Sequence, residues 1–132
     1  MPRAEWSVAA GRPVVQVELH TTQGWSPTRM LLADSGAGSL NSLFDVVLAE
    51  SDCRRCSRRP FGTVSLRGAF VGSHPVHMVR LRIAQLAFDR YVRVVATASL
   101  PPGLDGIACF RFLSLFTYGN FGSRTTFGLE AS

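Results

Sequence analysis

Met30-Leu31-Leu32-Ala33-Asp34-Ser35-Gly36-Ala37-Gly38-Ser39, MLLADSGAGS, is an apolar run that ends on a carboxylate and turns through small residues. The run is strand-sized and has no polar alternate, as in a strand buried on both faces. A carboxylate at its end is costly to desolvate unless something holds its charge. One reading makes Asp34 a turn residue, because Asp before Ser-Gly forms an Asx turn and caps the next element. The other makes it a site, because Gly36, Ala37 and Gly38 let another backbone or a ligand approach closely.

Working outward, period-two alternation dominates. Val15, Val17 and Leu19 share one side of a strand, and Gln16, Glu18 and His20 the other. The pattern returns at Val79, Leu81 and Ile83 against Arg80 and Arg82, and at Val92 and Val94 against Tyr91 and Arg93. LFTYGNF and RTTFGLE bracket Gly122 and Ser123 as a C-terminal hairpin. Turn residues cluster in TTQGWSPT (21–28) and SLPPGLDG (99–106). Helical spacing is scarce: Leu40, Leu43, Phe44 and Val47 predict a short helix within Ser39–Glu50, and CFRFLSLF (109–116) predicts another. The chain reads as mostly β, without repeats or low-complexity tails.

At 132 residues, with 46% apolar and 17% charged side chains, the chain has the size and composition of one folded domain, 1–132. No apolar stretch reaches the roughly 20 residues of a bilayer span, so no membrane partner is expected. Glu5 and Trp6 interrupt the N-terminal region where a secretory signal needs a continuous apolar stretch. Three cysteines make an odd number for a disulfide framework and fit a reducing compartment, and a cytoplasmic protein is expected. All fourteen basic side chains are Arg, with a formal charge of +5. The only cluster, Arg54, Arg55, Arg58 and Arg59, lacks interleaved aromatic residues for stacking bases, so no nucleic-acid partner is expected.

A second apolar strand, Val92 to Ala98, leads into LDGIACFRFLSLF, another strand, turn and short helix. Two such units facing each other make a pocket with Asp34 at its floor. Together, MLLADSGAGS and LDGIACFRFLSLF, with Asp34 and Asp105 71 residues apart, resemble the two signatures of the retropepsin-like aspartic proteases. The likeness runs from about Val14 to Glu130. It implies an all-β, closed β-barrel-like acid-protease fold with a flap hairpin and one or two short helices, its core at about 14–130.

By that resemblance, Asp34 is the catalytic aspartate of an endopeptidase. Ser35 braces the two active-site loops across a dimer, Gly36 contacts the substrate backbone and Ala37 packs beside the carboxylates. A flap hairpin spans about Gly62 to Ile83 with Gly68 and Gly72 near its tip. Gly36, Gly38, Gly68, Ala69, Phe70, Ile107 and Ala108 are expected to contact a polypeptide substrate. The chemistry needs two carboxylates about 3 Å apart that share a proton. Asp105 lacks the Ser-Gly turn, and the resemblance does not make it the catalytic partner. The second carboxylate is therefore expected from Asp34 of another copy, in a C2 homodimer needing no metal or organic cofactor.

The second signature departs from the resemblance at Cys109, where glycine is usual, and at Arg111, where an acid or amide would brace the turn. The alternative expectation is a catalytically weak or inactive dimerisation or peptide-binding module on the same scaffold. Cys53, Cys56, His74 and His77 have the chemistry of a zinc set, but their spacing is not that of a finger, and strand positions three apart face opposite ways. No metal site is expected. A serine hydrolase lacks its Gly-x-Ser-x-Gly elbow, and SGAGS lacks the Lys of a phosphate loop.

Overall fold

A computed structural model describes residues 2–131, except for the side chain of Ala69. The strands are β1 (Arg3–Ser7), β2 (Val14–Thr21), β3 (Gly24–Trp25), β4 (Arg29–Ala33), β5 (Val46–Ala49), β6 (Gly62–Leu66), β7 (Gly72–Ile83), β8 (Phe88–Thr97), β9 (Gly106–Ala108), β10 (Phe116–Gly119) and β11 (Thr126–Ala131). Two short α-helices, α1 (Glu50–Cys56) and α2 (Phe110–Leu113), and two single 3-10 turns, Gly68–Phe70 and Ala84–Leu86, complete the set. No helix among the described residues is long and apolar enough to cross a membrane.

The larger sheet runs β3-β2-β4-β9-β5-β8-β7-β6, and a further pairing of β2 with β7 closes its middle six strands into a barrel. Closure satisfies backbone groups that an open sheet would leave at two edges. β6 lies outside the closed ring and pairs only with β7, so its other edge is free among the described residues. β1, β11 and β10 form a second, antiparallel sheet, realising the expected C-terminal hairpin and adding the N-terminal strand to it.

The alternating residues fill the barrel as their period requires. Val15, Val17, Leu19, Val79, Leu81, Ile83, Val92 and Val94 are all buried. Phe88, Phe112 and Phe116 meet at centroid distances of 5.2–5.7 Å and seat α2 on the barrel. β9 enters late in the chain yet sits between β4 and β5, parallel to the first and antiparallel to the second. Gly106 makes this insertion fit, because a Cβ there would collide with the Val47 carbonyl oxygen and stand 2.8 Å from Leu31 and Leu48.

The helix expected within Ser39–Glu50 is not formed. Residues 39–45 are a loop, and Val46–Ala49 is a strand flanked by β8 and β9. Short apolar runs of this kind have no period that separates strand from helix, and here the pairing partners decide. The helix begins where the expected one would have ended. α1 carries Glu50 and Asp52 in its first turn and Arg54 and Arg55 in its last, matching the helix dipole. Asp52 takes a two-pronged ion pair from Arg29 at 2.9 and 3.1 Å, which ties α1 to the start of β4.

Candidate active site

β4 delivers Asp34 to the mouth of the barrel. Its neighbours β2 and β9 hold it from both sides, and Leu31 at its centre is fully buried while Met30, Leu32 and Ala33 are partly so. The clasp continues past the strand: Ala33 N–H donates to the Pro13 carbonyl, and Asp34 N–H to the Ala108 carbonyl at 3.0 Å. The chain then turns. Gly36 N–H donates to Asp34 Oδ1 at 3.0 Å and Ala37 N–H to the Asp34 carbonyl at 3.1 Å. The Asx turn is therefore formed without using up the carboxylate, since one oxygen caps the loop while Oδ2 accepts no hydrogen bond among the described residues.

Asp34 lines a cleft of about 600 Å³. Gly36, Ala37 and Gly38 of the same turn line it, together with Leu43, Phe44, Val47 and Ile107. Val64, Leu66, Arg67 and Phe70 of the β6–β7 hairpin also border it. Asp34 is the sole carboxylate lining it among the described residues. A carboxylate in such a largely apolar cleft is available to an extended ligand.

The hairpin spans the predicted segment. Gly68 and Gly72 adopt φ of +76° and +119°, left-handed conformations that admit glycine readily, and the turn Gly68–Phe70 lies between the two strands. His74 Nε2 bonds the Phe70 carbonyl at 2.7 Å and fastens the tip. Of the expected substrate contacts, Gly36, Gly38, Phe70 and Ile107 line the cleft; Gly68 is at the tip and outside its lining. Ala108 is fully buried and serves through its carbonyl. The side chain of Ala69 lies outside the described residues. Ser35 is exposed at the loop.

The second signature braces the first. Phe110 N–H donates to the Ala37 carbonyl at 2.9 Å, and Cys109 N–H to the Asp45 carbonyl at 3.0 Å. The expectation that Arg111 removes a brace is corrected. Its guanidinium donates to the Ser42 carbonyl at 2.8 Å and lies 3.4 Å from Asp45 Oδ1, while Asp45 Oδ2 accepts Arg93 N–H at 2.9 Å. The charge pattern is reversed, with cation on the helix and acid on the loop, and the bracing is kept. Asp45 was not legible as part of this network, because its partners come from β8 and α2, far away in sequence. Asp105 is also structural: its Oδ2 accepts Met30 N–H at 2.8 Å, and its own N–H returns to the Met30 carbonyl.

Cys109 sits in the cleft wall with its thiol pushed up to about 12, first by burial and then by the charges of Asp34 and Asp45. It packs there as a neutral group. Cys53 and Cys56 lie on α1 and His74 and His77 on β7; among the described residues no three His, Cys, Asp or Glu side chains converge as a metal site.

No protein-family profile matches the chain, and no curated protein matches it. Among solved structures, the chain is similar to a retropepsin-like aspartic protease from Rickettsia conorii. The identity is 12% and the TM-score 0.56, over 96% of this chain and 91% of that one. The likeness, together with the closed six-stranded barrel and its few short helices, defines a retropepsin-like fold.

Proposed function

We propose that this chain is an aspartic endopeptidase that works as a homodimer in the cytoplasm. Asp34 and Asp34 of a second copy share one proton. The ionised carboxylate takes a proton from water as its oxygen attacks the peptide carbonyl carbon, and the protonated one donates to the carbonyl oxygen. The tetrahedral adduct then collapses: the carboxyl that took the proton of water passes it to the departing amine as the C–N bond breaks, and an adduct hydroxyl returns its proton to the other carboxylate, restoring the shared-proton pair. No metal or organic cofactor enters these steps. The β6–β7 hairpin acts as a flap over an extended polypeptide, and Ser35 braces the paired loops.

One observation carries this reading: Asp34 stands at the end of a clasped strand, in an apolar cleft, with Oδ2 unengaged and no second carboxylate beside it among the described residues. One carboxylate cannot perform the proton exchange alone, which supports a second copy. The same lone carboxylate also suits a peptide-binding module without catalysis. Cleavage of a denatured protein mixture from acidic to neutral pH, by wild type and Asp34→Asn, separates the two. Cleavage by wild type alone is expected; equal cleavage by both sinks the protease reading. Sedimentation over a concentration series is expected to show a dimer, and an active monomer contradicts the shared dyad.

A further inference from the structure

Leu43 and Phe61 are large apolar side chains left more than half exposed, 58% and 57%, on a chain that buries most of its others. They flank a separate depression of about 120 Å³, lined also by Gly62, Thr63, Val76 and Arg93. This depression continues the cleft. Leu43 borders both, and β6 lines the cleft with Val64 and Leu66 and the depression with Gly62 and Thr63. Val76 beneath it belongs to the same buried cluster as Val47 and Ile107 of the cleft wall. The Arg93 guanidinium has no carboxylate partner among the described residues and lies 6.0 Å from the Phe61 ring centroid.

β6, whose outer edge is unpaired among the described residues, contributes lining residues to both spaces. Unpaired backbone groups on such an edge are a template for an added strand, with side chains on one face repeating every second residue at about 3.3 Å per residue. Val64 and Gly62 are separated by that same two-residue step.

We propose that the Leu43/Phe61 depression is a remote anchor subsite. It takes a branched aliphatic side chain of an extended polypeptide, two residues along from the one lying under Val64, with a neighbouring carboxylate facing Arg93. The volume suits Val, Leu or Ile. The inference rests on reading the cleft as a polypeptide site, and it adds a selectivity that the residues around Asp34 do not supply.

The test uses the Asp34→Asn protein, which holds a peptide without the acid needed to cut it, and a fluorescent positional-scanning peptide library read by anisotropy. One position is expected to select Leu, Ile or Val beside Asp or Glu. Replacing that aliphatic residue by Ala, or Phe61→Ser, is expected to weaken binding about tenfold each, and the two together little more than either alone. In Arg93→Gln the acidic preference is expected to vanish. Additive losses, no aliphatic selection, an acidic preference that survives Arg93→Gln, or no binding at all overturns the subsite. Cleavage by wild type is scored separately on the same peptides. Coupled binding without any cleavage leaves the subsite standing and removes the protease reading, whereas cleavage without coupling does the reverse.

Discussion

The N–H of Asp34 and the carbonyl of Ala108 are hydrogen-bonded at 3.0 Å, so the first signature of the chain is held in place by the second. The parallel register of β4 and β9 sets this contact, with Ala33 opposite Ala108. The Phe110 to Ala37 bond extends the clasp around the loop. Asp34 is therefore positioned by main-chain bonds rather than by side chains that could rotate, and whatever disturbs β9 displaces the carboxylate.

Gly106→Ala tests that dependence. The added methyl meets the Val47 carbonyl and two leucine side chains inside a closed barrel, where β9 cannot move without breaking both ladders. A loss of about 3 kcal/mol or more, or failure to fold, is expected from such overpacking. Denaturant unfolding measures it; an unchanged midpoint would contradict the insertion of β9.

Arg111→Ala removes the donor to the Ser42 carbonyl and leaves the carboxylate of Asp45, a residue only 8% exposed, with its bond from Arg93 N–H alone. A cost of about 1–2 kcal/mol is expected for the lost bonds, tempered by the partial exposure of the guanidinium. Amide exchange in residues 38–45 should rise in this variant, and Arg111→Lys should recover part of the protection. Unaltered exchange would mean that the loop does not depend on α2.

His77 gives a pH dependence with a definite sign. Burial lowers its pKa below the ordinary 6.5, against the opposing effect of a hydrogen bond to the Ser57 backbone, and Nδ1 has no partner. The unfolded chain then binds a proton at a higher pH than the folded one. The stability contribution is complete above about pH 6.5 and falls as pH drops from there toward the depressed folded value. Unfolding free energies measured across that window should slope upward with pH in wild type, and the slope should flatten in His77→Gln.

The three free thiols are predicted to be inert in the folded state. Cys53 and Cys109 are pushed up to about 12 and Cys56 to about 11, burial being the first cause in each. At pH 8 almost no thiolate exists at any of them, so reaction with a disulfide reagent should be slow until denaturant exposes all three. Rapid labelling at Cys109 itself in the folded protein would show that it is not held in the cleft wall as described.

Much of the barrel was legible because the period-two pattern records burial directly: at Val15, Val17 and Leu19, one side of the strand is core and the other is not. The loop of Asp34 was legible because turn chemistry is local. The Ser39–Glu50 segment was not, since Val46 and Val47 fit either a helix face or a strand. What made them a strand is two neighbours, β8 and β9, contributed by residues more than forty positions later.

By itself, then, the sequence determined the alternating strands and an aspartate in a tight turn, both properties of neighbouring residues, while the glycine hairpin tip was implied by the resemblance. Only the tertiary structure decided that Arg111 braces rather than loosens the loop, that Asp45 joins α2 to β8, and that Leu43 and Phe61 stand together beside the cleft. These relations depend on which distant strands share a ladder, and a ladder is chosen by closure of the whole barrel rather than by any segment of it.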